Sequence, residues 1–112
     1  MPRKKVEDAI QKEYIRWFRE TYSEKYDIFA TRNEDSYRRS DELEVGLPDI
    51  IIRWPEDGIR HIFYLEVKPK NGKLQKSQIA WAEKPRMSNE YYAVGYGLAD
   101  CREQTQSVLK SN

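Results

Sequence analysis

Gly46-Leu47-Pro48-Asp49-Ile50-Ile51-Ile52 and Phe63-Tyr64-Leu65-Glu66-Val67-Lys68 decide how this chain is read. Both segments are apolar, β-branched or aromatic over strand length, and Pro55-Glu56-Asp57-Gly58 between them is a turn signal, so the two form a hairpin. A hairpin closing over residues 55–60 pairs positions whose numbers sum to about 114 or 115. Asp49 then faces Leu65 or Glu66, with opposed Cβ atoms roughly 4.5 to 5.5 Å apart. Two carboxylates at that spacing repel unless a cation lies between them. A hard divalent ion meets the need, because Mg²⁺ prefers oxygen ligands and commonly sits on one or two carboxylates plus a substrate phosphate. Lys68 shares a strand face with Glu66, roughly 6 to 7 Å along it, where an ammonium group can reach the same phosphate. Together these three side chains have the chemistry of a metal-dependent phosphodiester-cutting site. A merely solvated face is the plainer account, and the strongly apolar runs beside Asp49 and Glu66 argue against it, since covered strands rarely keep charges.

With these residues in order, the chain resembles the PD-(D/E)XK nuclease superfamily, and within it the VRR-NUC branch in the small stand-alone form of phages and bacteria. Gly46-Leu47-Pro48-Asp49 followed by Glu66-Val67-Lys68 carries the likeness. Glu7 and Gln11 on an N-terminal helix are similar to the family's first motif, and Gln78-Ile79-Ala80-Trp81 to its glutamine-containing helix. The stretch before Gly46 is short and highly charged, and no intact Val-Arg-Arg triplet is present. The resemblance implies a restriction-endonuclease-like α/β core over residues 1–112. It also implies Mg²⁺ or Mn²⁺ held by Asp49, Glu66 and the backbone carbonyl of Val67, with Lys68 positioning or deprotonating the attacking water. Glu7 would help place a water or a second cation there; without the resemblance it simply complements the positive end of a helix dipole. Similarity to Holliday-junction resolvases implies a homodimer cutting branched DNA in the cytoplasm of a bacterial or phage-infected cell, with DNA repair as the setting. Flap- or nick-directed cutting is the alternative within the enzyme class. A non-catalytic DNA-binding or anti-defence module on the same fold is the alternative outside it.

The remaining sequence is consistent with one small enzyme domain. The 112 residues suffice for a single core. A net charge of +1, although 35% of residues are charged, leaves no bulk attraction for nucleic acid. Contacts to DNA must then come from local clusters: Arg3-Lys4-Lys5, Arg38-Arg39, the run Lys68, Lys70, Lys73, Lys76, and Lys84 with Arg86. A charge run is usually a solvated face. The third cluster differs, because it starts at the candidate metal site, and Lys70, Lys73 and Lys76 are its DNA-binding candidates alongside Arg38 and Arg39. The single cysteine, Cys101, excludes a disulfide framework and a thiolate zinc site and points to a cytoplasmic setting. The single histidine, His61, excludes His-rich metal sites and reads as an ordinary strand residue. No apolar run approaches membrane-spanning length, and residues 1–5 lack the apolar part of a secretion signal.

The element order expected is α-β-β-β-α-β-α, giving a mixed sheet with helices on both faces. Val6, Ile10, Tyr14, Trp17, Phe18 and Thr21 recur at helical spacing and face the core from a helix over about 6–22. Asp27 to Thr31 reads as the first strand and Asn33 to Glu44 as a charged loop, either an ordinary connection or a segment beside the site. Pro69 to Lys73 is a turn launching a helix at about Leu74, on which Leu74, Gln78 and Trp81 share a face. Gln78 there needs a partner: a site carboxylate, a water, a DNA phosphate or a backbone group. Trp81 reads as core. Tyr91 to Tyr96 is the last strand, and a C-terminal helix follows over about 98–109. The eight tyrosines read mostly as packing residues, none assigned to DNA.

Overall fold

Apolar alternation is what turns this sequence into a sheet with two different faces. The computed structural model describes residues 3–31 and 46–110, the side chains of residues 3, 4 and 110 excepted. Helix α1 is Arg3–Thr21, followed by strands β1 (Asp27–Ala30), β2 (Ile50–Glu56) and β3 (Ile59–Lys68). Helix α2 (Lys76–Ala82), strand β4 (Glu90–Tyr96) and helix α3 (Leu98–Lys110) complete the order. The strands lie β1-β2-β3-β4 across the sheet, antiparallel except that β4 runs parallel to β3. The expected α/β order with a mixed sheet is therefore present. Arg38, Arg39 and the loop expected over Asn33 to Glu44 lie outside the described residues.

Side chains on successive strand residues point to opposite faces, so each strand is divided between two environments. Ile50, Ile52 and Trp54 of β2 and Phe63, Leu65 and Val67 of β3 build the core with Tyr14 and Phe18 of α1 and Cys101 and Leu109 of α3. One hydrogen bond ties α1 to α3 over that face, and a second, within α3, orients it. Thr105 donates to the Cys101 carbonyl at 2.8 Å, which leaves the Tyr14 hydroxyl as donor to Thr105 at 2.5 Å. Gly95, beside Val67 in register, lets α3 lie close to the sheet, because a Cβ there would overlap the Cys101 sulfur. The other face is covered by α2, whose buried Trp81 meets the rings of Tyr64 and Tyr92 at 4.8 and 5.9 Å.

Three details differ from the sequence expectation, each for a local reason. The β2–β3 hairpin closes on Asp57-Gly58 alone, with φ of 55° and 74°, the two-residue turn whose twist matches paired strands. Pro55 and Glu56 thus belong to β2 rather than to the turn. A proline is tolerated there because its nitrogen faces the β1 side, beyond Arg53 where β1 pairing ends. Helix α2 starts at Lys76, two residues late, since the Gln75 N–H donates to Gln78 Oε1 at 2.8 Å in a side-chain cap. Thr21, expected in the core stripe, is exposed and donates back to the Trp17 carbonyl at 2.6 Å. His61 is a strand residue stacked on Trp54 and Tyr91.

Candidate active site

Among the described residues the buried charged side chains are three, Asp49, Glu66 and Lys68, with 6%, 1% and 3% of their surface exposed. All three lie at one end of the sheet. Such groups are rarely buried without partners, so their collection at one place is the strongest signal in the structure. Ile50 pairs with Leu65, and one further step along that register sets Asp49 opposite Glu66. Asp49 Oδ2 accepts the Val67 N–H at 2.8 Å, and its carboxyl is within hydrogen-bond reach of Glu66.

The start of β2 is fixed by Thr31 and by the backbone of α2. Thr31 donates its N–H to the Asp49 carbonyl at 2.9 Å and its hydroxyl to the Pro48 carbonyl at 2.8 Å. Gly46, at φ 84°, lies against the backbone of α2, where a Cβ would overlap the Ser77 carbonyl. Only glycine satisfies both the backbone angle and the close approach. That contact brings α2 over the site, and Gln78 Nε2 donates to Glu66 Oε2 at 3.2 Å. Of the partners open to Gln78, the carboxylate takes its amide nitrogen and the Gln75 N–H its oxygen. Lys68 Nζ stands 3.9 Å from Glu7 of α1.

Electrostatics mark Glu66 as the group out of balance. Burial, then the hydrogen bond and charge of Asp49, push its carboxyl from 4.5 up to about 9, with Glu7 adding to the rise and Lys68 opposing it. Glu66 Oε1 is buried without a hydrogen-bond partner. Tyr92 on the same face is pushed up to about 12, first by burial and then by the charge of Glu66. An orphaned carboxylate oxygen beside a second carboxylate is the donor set a hard divalent cation takes. The neighbouring backbone agrees. The ladder would next pair Val67 with Pro48, which has no N–H to offer, so the Val67 carbonyl is left for another partner. The residues present therefore fit a cation at Asp49, Glu66 and Val67. Among the described residues no group of three or more His, Cys, Asp or Glu side chains gathers in metal-holding fashion. Glu7 meets Lys68 at this end of the sheet, and its charge also acts on Glu66.

The basic candidates divide. Lys70 and Lys73 line a shallow groove next to the site, whereas Lys76 is exposed in the first turn of α2. Arg86 lies with its guanidinium 5.1 Å from the Tyr92 ring centre. Thr31, Tyr92 and Tyr96 are neighbours of the site that the sequence did not single out. Tyr92 and Tyr96 share the site's face by alternation in β4, a signal usable only once β4 is placed beside β3.

A mixed sheet carrying a buried Asp, Glu and Lys at one end, with a helix-borne glutamine above them, is a nuclease-type fold. Residues 3–97 match the VRR-NUC domain model, and the chain belongs to that family. A solved structure described as a VRR_NUC domain protein superposes with a TM-score of 0.71 at 18% identity, over 96% of this chain and 90% of the other. No curated protein matches the chain. No described helix is long and apolar enough to cross a membrane.

Proposed function

We propose that the protein is a divalent-metal-dependent deoxyribonuclease that hydrolyses phosphodiester bonds in branched DNA, four-way junctions foremost, as a homodimer. The observation that carries this reading is the buried Asp49–Glu66 pair with an unpartnered Glu66 oxygen. Asp49, Glu66 and the Val67 carbonyl would hold Mg²⁺ or Mn²⁺, which when bound supplies Lewis-acid polarisation of the phosphate and activation of water. The chain's own groups do the rest. Lys68 neutralises charge developing on the phosphoryl oxygens and orients the attacking water. Glu7 aims the Lys68 ammonium, and Gln78 holds Glu66 in the rotamer that faces Asp49. Pro48 and Thr31 fix the strand end from which Asp49 projects. Family likeness implies products with a 5′-phosphate and a 3′-hydroxyl.

A binding module without turnover gains nothing from a carboxylate pair that costs stability, which favours catalysis over the non-enzymatic reading. A four-way junction presents two equivalent strands for paired cuts, and a two-fold dimer presents two sites in the matching symmetry. Labelled four-way junction, flap, nicked and intact duplex, incubated with Mg²⁺, Mn²⁺, Ca²⁺ or EDTA, test the reading directly. Cleavage should need Mg²⁺ or Mn²⁺ and should vanish in Asp49→Asn, Glu66→Gln and Lys68→Ala with the fold intact. Preference for the flap would move the substrate to the alternative, and no cleavage of any DNA would refute the enzyme. Light scattering should give twice the 13.4 kDa of one chain; a monomer at working concentration refutes the dimer.

A further inference from the structure

The cutting scheme leaves one surface beside the site unused. Lys70, Lys73, Leu74, Ile79 and Tyr96 line a shallow groove of about 550 Å³. It adjoins the reacting groups on two sides. Ile79 follows Gln78, which donates to Glu66, and Tyr96 lies beside Lys68 in the β3–β4 register. Two of its walls are exposed apolar side chains, Tyr96 at 37% and Ile79 at 43%. The Tyr96 backbone is held on both sides: its N–H donates to Asp100 Oδ2 at 2.8 Å, and the Gly97 N–H donates to the Lys68 carbonyl at 2.8 Å. A ring carried on a fixed strand end is a preorganised contact surface rather than a mobile one.

An exposed aromatic face next to an aliphatic side chain, with ammonium groups at the rim, matches the chemistry of a nucleotide that has left its stack. Base faces are covered inside a duplex, so a stacking platform serves only an unpaired or extruded base. Lys70 and Lys73 supply the charge complement for flanking phosphates in a chain whose net charge of +1 gives no general attraction. We propose that this groove takes an unpaired nucleotide of the DNA substrate next to the scissile phosphate, its base stacked on Tyr96 and its phosphates held by Lys70 and Lys73. The proposal rests on the nuclease reading and narrows the substrate to DNA that offers an unstacked nucleotide at the cut.

Binding without cleavage tests it. Fluorescence anisotropy in Ca²⁺ compares wild type, Tyr96→Ala, Tyr96→Phe and the double Lys70→Ala, Lys73→Ala variant on oligothymidylate and on an abasic oligonucleotide of equal length and charge. Wild type and Tyr96→Phe should bind the thymidylate about tenfold or more tightly than the abasic strand, and Tyr96→Ala should lose that difference. The lysine variant should weaken both strands alike and reduce the dependence of log K on log salt by about 0.7 for each phosphate that is no longer neutralised. Equal affinity of wild type for the two strands, or an equal loss on both in Tyr96→Ala, overturns the proposal. Cleavage by the wild type in Mg²⁺, measured alongside, separates the two readings. Base-dependent binding with no cleavage by wild type in Mg²⁺ refutes the nuclease alone, and cleavage without any base dependence refutes the groove alone.

Discussion

Glu66→Gln should make the metal-free protein more stable at neutral pH, although it removes a buried site residue. Burial and Asp49 push the Glu66 carboxyl from 4.5 up to about 9, so the folded chain keeps a proton that the unfolded chain releases. The associated stability is fully present below about pH 4.5 and is lost as pH rises towards 9. Between pH 4.5 and 7 the loss is about 3 kcal/mol at about 1.4 kcal/mol per pH unit, and relaxation of the surroundings about the charged form lowers it to about 2 kcal/mol. Glutamine is neutral at every pH. Its oxygen can accept from Gln78 as Glu66 Oε2 does, and its amide can donate to Asp49. A gain of about 2 kcal/mol in a domain of this size raises Tm by about 8 °C. Circular-dichroism melts in EDTA at pH 4.5, 7 and 8.5 should overlap at the lowest pH and separate progressively above it. Mg²⁺ should raise Tm of the wild type and leave the variant unchanged. A variant less stable than wild type at pH 8.5, or a gap that ignores pH, would refute this account of the pair.

Three further outcomes are expected. Gly46→Ala should lift α2 from the start of β2, where the added methyl meets the Ser77 carbonyl; DNA cleavage should fall at least about tenfold while urea unfolding shifts by about 1–3 kcal/mol. Tyr14→Phe should cost about 1 kcal/mol in urea unfolding with cleavage unchanged, because Thr105 still donates to the Cys101 carbonyl when the phenol is gone. Cys101, fully buried and with its thiol pushed from 9.0 up to about 12 chiefly by burial, should react with a disulfide reagent at pH 8 at least about a hundredfold more slowly in the folded protein than in guanidinium.

The hairpin was the most legible part of the fold, because turn chemistry and alternation both act over short range. Its register sums to 115, one of the two values the turn allowed, and this alone brings Asp49 opposite Glu66. The limits of α1 and β4 were legible for the same reason, with periodicity fixing each to within about three residues. What escaped depends on contacts distant in sequence. Neighbours across β3 and β4 follow from a crossover through α2, so nothing local to β4 places Tyr96 beside Lys68 or Tyr92 near Glu66. Thr31 acts on Asp49 across 18 residues. The grip of Glu7 on Lys68 requires α1 to begin at the same sheet end as the site, which helical periodicity does not specify.

The tight Asp57-Gly58 reversal has a practical corollary. Strand β3 runs ten residues from it to Lys68, so this bend is about 30 Å from the reacting groups. No Cβ added at Gly58 would touch anything within 4 Å. Lengthening a loop costs only about 0.6 kcal/mol per doubling, so an affinity tag, a fluorophore-bearing peptide or a tether to a second module can be spliced in at this bend. A fusion made there would carry the Asp49–Glu66–Lys68 end of the molecule outward, directed away from its cargo.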